Sequence, residues 1–118
     1  MNTYYIGLYE KSMPNSLSIK EKLMEAKKAG FDFMEISIDE SDEKLGRLKW
    51  NRDKRFELIK DISEAGIKIM TMCLSGHRKF PIGSEDKEIR ECGMKIMSDA
   101  IDFAVDIGVR IIQIAGYD

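Results

Sequence analysis

The chain has 118 residues, of which 43% are hydrophobic and 34% charged, and this composition predicts one domain with a single buried core. Its 19 Lys and Arg residues nearly balance 21 Asp and Glu residues, so the net charge of -2 excludes the basic excess that a nucleic-acid partner would require. The sequence shows neither a long apolar run nor a secretory signal pattern, and we therefore expect a cytoplasmic protein without a membrane partner.

Apolar and aromatic residues at positions 4–9 predict the first strand. The next segment has the periodicity of an amphipathic helix, and it opens with Ser18 and Glu21 at the spacing of a capping box. Four residues share the apolar face of this helix, namely Ile19, Leu23, Ala26 and Ala29.

A second helix is predicted over residues 51–65, with Phe56, Ile59 and Ile62 facing inward. A third helix is predicted to begin near Ser84, just before two acidic residues that suit the positive end of a helix dipole. Its predicted inner face consists of Ile89, Gly93, Ile96, Ala100, Ala104 and Ile107.

A glycine and then an apolar strand follow each predicted helix. The three copies are residues 29–36 (AGFDFMEI), 65–72 (AGIKIMTM) and 107–114 (IGVRIIQI). Glycine suits the position after a helix because it adopts a positive φ without strain. The element order is therefore βαβαβαβ, which implies parallel strands joined by right-handed crossovers.

The faces of the strands distinguish a closed barrel from an open sheet. In the second strand the odd-numbered positions 35–39 are polar and the even-numbered positions 34–38 are apolar, and the third strand repeats this contrast over residues 70–75. A sheet covered by helices on both sides should be apolar on both faces. The pattern favours a parallel (β/α) barrel, and residues 1–118 are predicted to be the N-terminal half of a TIM barrel domain.

Long loops are predicted after the second and third strands, at residues 39–50 and 75–83. The eight methionines are predicted to fill the core. Cys73 and Cys92 are too far apart for a CxxC redox or zinc pair, and we expect two reduced thiols in or near the core.

In (β/α) barrels the functional groups cluster at the C-terminal ends of the strands and in the loops that follow. Polar residues are concentrated at these places in the present sequence: Tyr9, Glu10, Lys11, Ser37, Asp39, Glu40, Ser75, His77, Arg78, Lys79, Gln113, Tyr117 and Asp118. The sequence therefore predicts a binding site at this end of the sheet.

His77 is the only histidine, and its imidazole could bind a substrate hydroxyl or stabilise an oxyanion. Arg78 and Lys79 could bind a phosphate, with the predicted helix start at Gly83 and Ser84 as a further donor. Solvated loop residues are the alternative for all of these. Ser75 and Glu10 complete the predicted substrate-binding set.

Glu35 is unusual because a carboxylate within an apolar strand is costly unless it is paired or faces a polar cavity. It is a weak catalytic candidate, and a structural ion pair is an equally good interpretation. The acidic run at residues 39–43 lacks the spacing of a calcium loop, and solvated acids or helix-start acids are the better interpretation. No metal site is predicted in the chain.

Three stretches carry a family resemblance: residues 6–11 (IGLYEK), 30–40 (GFDFMEISIDE) and 72–84 (MCLSGHRKFPIGS). In order and spacing they resemble the L-ribulose-5-phosphate 3-epimerase (L-xylulose-5-phosphate 3-epimerase) family of xylose isomerase-like barrels. Residues 114–118 (IAGYD) also match. The resemblance covers about the first two-fifths of a typical family member.

The resemblance implies an isomerase that interconverts L-ribulose 5-phosphate and L-xylulose 5-phosphate in pathways that degrade L-ascorbate or related pentoses. It also implies a divalent cation, Zn²⁺ or Mn²⁺, for the full-length family member, with ligands from strands after residue 118. We therefore expect this chain to hold no metal and to be inactive alone. Two alternatives remain. One is another isomerase of the superfamily, such as a hexulose-6-phosphate isomerase, and the other is a non-enzymatic half-barrel that serves in binding or assembly.

The expected partners are a small sugar phosphate and a second copy of the chain. Four parallel strands of a barrel leave two unpaired edges, and such edges favour association. We therefore expect a homodimer or a higher oligomer.

Overall fold

Four parallel strands alternate with helices in the computed structural model of the chain, which describes residues 4–115. The strands lie in the order β1-β2-β3-β4. This arrangement confirms the predicted βαβαβαβ order. The strands are β1 (Gly7–Tyr9), β2 (Phe33–Ile38), β3 (Lys68–Leu74) and β4 (Ile111–Ile114).

The helices lie where the sequence predicts them, with one addition and with a later start of the last helix, at Lys87. They are α1 (Ile19–Lys28), α2 (Asp42–Gly46), α3 (Arg52–Ala65) and α4 (Lys87–Ile107), and short 3-10 turns occupy Glu10–Ser12, Arg47–Lys49 and Gly76–Arg78. The Ser18 and Glu21 capping box of α1 is confirmed. Within residues 4–115, no helix is both long enough and apolar enough to cross a lipid bilayer.

The loop predicted after β2 contains the additional helix, α2. The hydroxyl of Ser41 accepts a hydrogen bond from the Lys44 amide at 3.2 Å and caps this helix, and Asp42 and Glu43 occupy its first turn. The interpretation of these two acids as helix-start residues is confirmed. A helix of five residues is too short to show apolar periodicity, and the sequence therefore did not reveal it.

The core lies between the helices and one face of the sheet. Met34, Ile36 and Ile38 of β2 are completely buried there, as the alternation in the sequence predicts. We call the opposite face of the sheet, which carries Glu35 and Ser37, the inner face. The core cluster also includes Leu23, Ala26, Leu48, Leu58, Ile67, Ile69, Met72, Leu74, Ile96, Ala100, Phe103, Ala104, Ile107 and Val109.

Strand β3 contains one residue more than β2 along their shared edge. Met34 pairs with Ile69, whereas the next residue, Glu35, pairs with Thr71, so Met70 forms a bulge. The bulge keeps Ile69 in the core and Thr71 beside Glu35 on the inner face. The alternation predicted for β3 therefore begins only after Met70.

The predicted inner face of the second helix is wrong in two positions. Phe56 is 63% exposed and Ile59 is 38% exposed, whereas Leu58 is buried. Helix α3 packs against α1 on one side and α4 on the other, and Arg55 fills the α4 side with its guanidinium 5.2 Å from the Phe103 ring. Because an arginine occupies this inward position, a pattern of apolar residues alone misplaces the buried face.

Not every methionine fills the core as predicted. Met34 and Met72 are fully buried, but Met94 on α4 is 57% exposed. The two thiols fall in β3 and α4 as expected, where Cys73 and Cys92 are free and half-buried.

Glycine permits a close contact between α4 and the loop before it. A Cβ atom added to Gly93 would lie 2.4 Å from the Phe80 carbonyl oxygen, well inside van der Waals contact. The backbone rather than a flexible side chain would have to move. Any larger residue at this position therefore forces the loop away from the helix.

We predict that Gly93→Ala lowers the free energy of unfolding by about 1 to 3 kcal/mol, the usual cost of overpacking. Alanine otherwise favours a helix by about 1 kcal/mol over glycine, so a loss of stability identifies the clash. Urea unfolding followed by circular dichroism measures the change. Gly83→Ala is the matched control, because no atom lies within 4 Å of its added Cβ. A G93A variant as stable as the parent chain would contradict the prediction.

Candidate functional site

The C-terminal ends of the strands bring together a row of uncharged polar groups on the inner face. Ser37, Cys73 and Gln113 pair in register across β2, β3 and β4. The Tyr9 hydroxyl at the end of β1 donates a hydrogen bond to the Ser37 hydroxyl at 3.1 Å. Burial raises the pKa of Tyr9, so the hydroxyl stays protonated and able to donate. We call these four residues the polar row, and its groups suit a ligand rich in hydroxyls.

One step below the polar row, Glu35 pairs with Thr71 on β3. The Thr71 hydroxyl donates to the Glu35 carboxylate at 2.7 Å. Among residues 4–115 no cation lies within ion-pair distance of Glu35, so a hydrogen bond takes the place of the structural ion pair considered from the sequence. The carboxylate is half-buried on the inner face.

Glu10 lies at the centre of a buried ion network directly after β1. Arg47 binds both carboxylate oxygens, at 2.6 and 2.7 Å, and Lys22 donates to one of them at 2.9 Å. The Ser37 amide donates to the other oxygen at 2.8 Å. Glu10 has no exposed surface, so it offers a ligand no contact, although its position after β1 predicted a substrate contact.

Burial would raise the pKa of Glu10, but the hydrogen bonds and charge of Arg47, the Ser37 amide and Lys22 outweigh it and lower the pKa to about 2. The network joins the end of β1 to α1, to β2 and to the 3-10 turn after α2. Its function is therefore to fix the strand ends beneath the polar row. The sequence did not reveal the roles of Lys22 and Arg47, because cations within amphipathic segments usually lie in solvent.

A second ion pair lies at the same edge of the sheet. Lys11 contacts Asp39 at 2.8 Å, and the other Asp39 oxygen accepts the Ser41 amide at 2.8 Å. Burial would raise the pKa of Asp39, but Lys11 and Ser41 lower it to about 2. Asp39 is therefore ionised and held by the protein, while Lys11 remains 44% exposed at the edge of the site.

His77 lies in the 3-10 turn after β3 and is 6% exposed. Its Nε2 atom is 2.9 Å from the Gly93 carbonyl oxygen, and since a carbonyl only accepts, Nε2 carries the proton. In the neutral ring Nδ1 is then an acceptor. His77 lines a cavity of about 380 Å³ at the end of β4, together with Pro81, Ile82, Gly83, Ser84, Ile114 and Ala115.

The other predicted residues of this loop lie around the same turn. Ser75 is half-buried and its amide donates to the Ile38 carbonyl at 2.9 Å, whereas Arg78 and Lys79 are exposed. The Lys79 ammonium lies 5.6 Å from the centre of the Phe80 ring. Tyr117 and Asp118 lie outside the described residues.

The predicted phosphate donor at Gly83 and Ser84 is wrong, because α4 begins later. Asp86 caps α4 by accepting from the Glu88 amide at 2.9 Å and from the Ile89 amide at 3.4 Å. A carboxylate thus occupies the end of the helix where a phosphate would bind.

The metal ligands that the family resemblance implies have no counterpart in residues 4–115. No three His, Cys, Asp or Glu side chains come together in this part of the chain in a way that could hold a metal ion. The described residues therefore do not fit the cation, and we assign no chemical step to it.

We predict that Glu10→Gln lowers the free energy of unfolding by about 3 to 5 kcal/mol, because it leaves two buried cations without their counterion. Thermal and urea unfolding measure the loss. Glu64→Gln is the matched control, since Glu64 pairs with Lys20 at the surface with both side chains more than 40% exposed. The Glu64→Gln substitution should lower the free energy of unfolding by less than about 1 kcal/mol.

The same network predicts how stability depends on pH. The pKa of Glu10 is lowered from 4.5 to about 2 on folding, so its contribution is complete above pH 4.5 and is lost as the pH falls toward 2. The shift corresponds to about 3 kcal/mol. The parent chain should therefore lose more stability than the Glu10→Gln variant over this pH interval. Parallel pH profiles for the two proteins would contradict the assignment.

We also predict that the isolated chain binds Zn²⁺ or Mn²⁺ no better than a generic acidic surface does. Calorimetric titration at neutral pH measures this binding. A stoichiometric site of submicromolar affinity would show that the ligands are among the residues of this chain after all.

A sequence model of the xylose isomerase-like TIM barrel family matches residues 23–118. The chain is 51% identical over 113 residues to the L-ribulose-5-phosphate 3-epimerase UlaE of Escherichia coli (strain SMS-3-5 / SECEC), an alignment that covers 96% of this chain and 40% of the relative. It is 50% identical, with the same coverage, to the protein of that name from Salmonella heidelberg (strain SL476). The chain thus spans about two-fifths of the length of these relatives.

Two solved structures resemble the fold. A D-psicose 3-epimerase, solved in the presence of D-fructose, superimposes with a TM-score of 0.77 at 17% identity. The superposition covers 95% of this chain and 37% of the epimerase chain. A 3-keto-D-glucoside 4-epimerase, YcjR of E. coli, superimposes with a TM-score of 0.66 at 24% identity and covers 92% of this chain and 36% of its own. These matches confirm the N-terminal part of a parallel (β/α) barrel, and the chain belongs to the xylose isomerase-like TIM barrel family.

Proposed function

We propose that this chain is the part of a pentulose-5-phosphate 3-epimerase that forms one side of the substrate pocket. The observation that carries the proposal is the 51% identity to UlaE over 96% of the chain. The proposed reaction interconverts L-ribulose 5-phosphate and L-xylulose 5-phosphate.

The chemistry of this reaction defines what the pocket has to supply. A base removes the C3 proton next to the C2 ketone, the electron pair of the C–H bond passes into an ene-diolate, and an acid returns a proton to the opposite face of C3. The acid and base groups must therefore lie on the two faces of the sugar. We expect both, and the cation, from later strands, because Glu10 and Asp39 are already engaged by cations of the protein and Glu35 accepts a hydrogen bond from Thr71.

The contribution of this chain is to bind and orient the sugar. The polar row presents the Tyr9 hydroxyl and the Gln113 amide on the inner face, and the buried Ser37 hydroxyl accepts from Tyr9 and holds it in place. Such uncharged groups bind sugar hydroxyls without the desolvation cost of a buried charge. The network around Glu10 supports the row from below, since the Ser37 amide is one of its members.

His77 and Arg78 remain our preferred contacts for the substrate and its phosphate. His77 lines the cavity at the end of β4, where a ring nitrogen can form a hydrogen bond with a sugar hydroxyl while Nε2 donates to the Gly93 carbonyl. Arg78 is exposed on the same turn, where a guanidinium matches the geometry of a phosphate. A hexulose-6-phosphate isomerase would use similar groups, and turnover of the two pentulose phosphates separates these alternatives.

The test joins residues 1–118 to the remainder of the E. coli relative, so that the whole barrel is present. We expect this chimera to epimerise L-ribulose 5-phosphate. Nuclear magnetic resonance measures the amounts of the two pentulose phosphates during the reaction. His77→Ala or Arg78→Ala should lower kcat/KM about tenfold or more, the effect of losing roughly 1.4 kcal/mol of binding.

Lys68→Ala is the matched control for lost charge, because Lys68 is exposed at the opposite end of β3 from the site. Its kinetics should equal those of the parent chimera. A well-folded chimera without turnover would reject the epimerase and leave a non-enzymatic half-barrel. Unchanged kinetics in both site variants would remove His77 and Arg78 from the pocket.

A further inference from the structure

A cavity of about 650 Å³ lies between α1, the 3-10 turn Arg47–Lys49 and α3. All of its lining residues fall within positions 17–61, and none of them belongs to a strand. The cavity is therefore part of the helix layer, separate from the polar row, and the edge strands β1 and β4 take no part in its walls. Its volume is in the range of small-molecule sites. We call it the helix cavity.

Two buried cations that hold Glu10 also line the helix cavity. The side chains of Lys22 and Arg47 are 3% and 4% exposed. An ammonium has three N–H groups, and that of Lys22 uses one of them, on Glu10. A guanidinium has five, and that of Arg47 uses two on Glu10 and one on the Ser37 carbonyl. Among residues 4–115 the other four N–H groups have no acceptor, so the two cations can bind a further oxygen ligand.

The charges of this network do not balance. One carboxylate, that of Glu10, faces two cations, and within residues 4–115 no other carboxylate lies within ion-pair distance of Lys22 or Arg47. Three acids line the helix cavity beyond that distance, namely Glu43, Glu57 and Asp61. An excess buried charge is costly, and an anion in the cavity lowers that cost. The network therefore favours a negatively charged ligand.

A phosphate group suits these donors. Its three terminal oxygens can accept from both cations, and its charge offsets the excess positive charge. Lys54 adds a third cation at the opening of the cavity, where it is exposed and its ammonium lies 4.9 Å from the centre of the Trp50 ring. Because the opening also carries acids, the preference for an anion comes from the buried cations.

We propose that the helix cavity is an anion site, separate from the sugar pocket, that binds the phosphate group of a small molecule through Lys22 and Arg47. Both cations contact Glu10, which in turn accepts the Ser37 amide. A ligand in the helix cavity therefore acts on the same network that supports the polar row. The proposal rests on the cavity and its buried charges and does not depend on the epimerase activity.

The single tryptophan of the chain, Trp50, lines the helix cavity, so its fluorescence reports on binding there. Titration of the chain with inorganic phosphate, against sodium chloride at the same ionic strength, should change the Trp50 emission saturably. Phosphate should also raise the melting temperature, because a ligand that binds only the folded chain stabilises it by mass action. Chloride at the same ionic strength should do neither.

Lys22→Met removes one of the two cations and leaves Glu10 and Arg47 as a neutral pair. It should weaken phosphate binding about tenfold or more. The phosphate-free variant should stay folded, because the excess buried charge is gone. Lys54→Met is a second variant at the opening, where folding tolerates the change, and it should weaken binding as well. Lys60→Met is the matched control for lost charge, since Lys60 is 75% exposed on α3 and does not line the cavity.

Arg78→Ala separates the helix cavity from the phosphate contact proposed for the substrate. The phosphate response should persist in Arg78→Ala and in Lys60→Met. A response that is lost in Arg78→Ala and kept in Lys22→Met would place the phosphate in the sugar pocket and overturn the proposal. So would a parent chain without a saturable response, or an equal response to chloride. If Lys22→Met fails to fold, an unchanged response in Lys54→Met overturns it as well.

Discussion

The carboxylate of Glu10 is the interaction on which the site end of this half-barrel depends. A single anion without solvent contact holds a guanidinium, an ammonium and a backbone amide from three different segments, and so joins these to its own. Parallel strands of three to seven residues have few ladder hydrogen bonds with which to fix their ends. The ion network supplies that constraint, and its buried charges are compatible with folding only because every partner is in place.

In this arrangement the charged groups support the fold, and other groups are left to contact a ligand. The charged groups closest to the strand ends, Glu10 and Asp39, are already engaged by protein cations. The groups left to face a ligand on the inner face are mainly neutral hydrogen-bonding side chains. A neutral row discriminates between ligands by the position of their hydroxyls, and a mismatched hydroxyl leaves a buried group unpaired.

The sequence predicts the order of elements well because its signals are local. Gly30, Gly66 and Gly108 all adopt positive φ values after helices, and the capping box of α1 forms as expected. The failures involve contacts between distant segments. The α3 face depends on where Arg55 meets Phe103, and α4 begins after Asp86, whose carboxylate caps the helix and suits the positive end of its dipole, and not after Ser84, whose hydroxyl accepts from the Asp86 amide. Arg47, which is 37 positions from Glu10 in the sequence, could be recognised as its partner only once the segment between them is folded.

The bulge at Met70 has a consequence for how the barrel can change in evolution. Residues on either side of it, Ile69 and Thr71, already face opposite sides of the sheet, as neighbours in a regular strand do. Loss of Met70 would therefore leave core and inner face as they are, whereas loss of a residue from the regular segment after it would exchange the two faces of the strand locally. Strand β3 thus has one position at which its length can vary by a residue while Thr71 and Cys73 stay turned toward the ligand side.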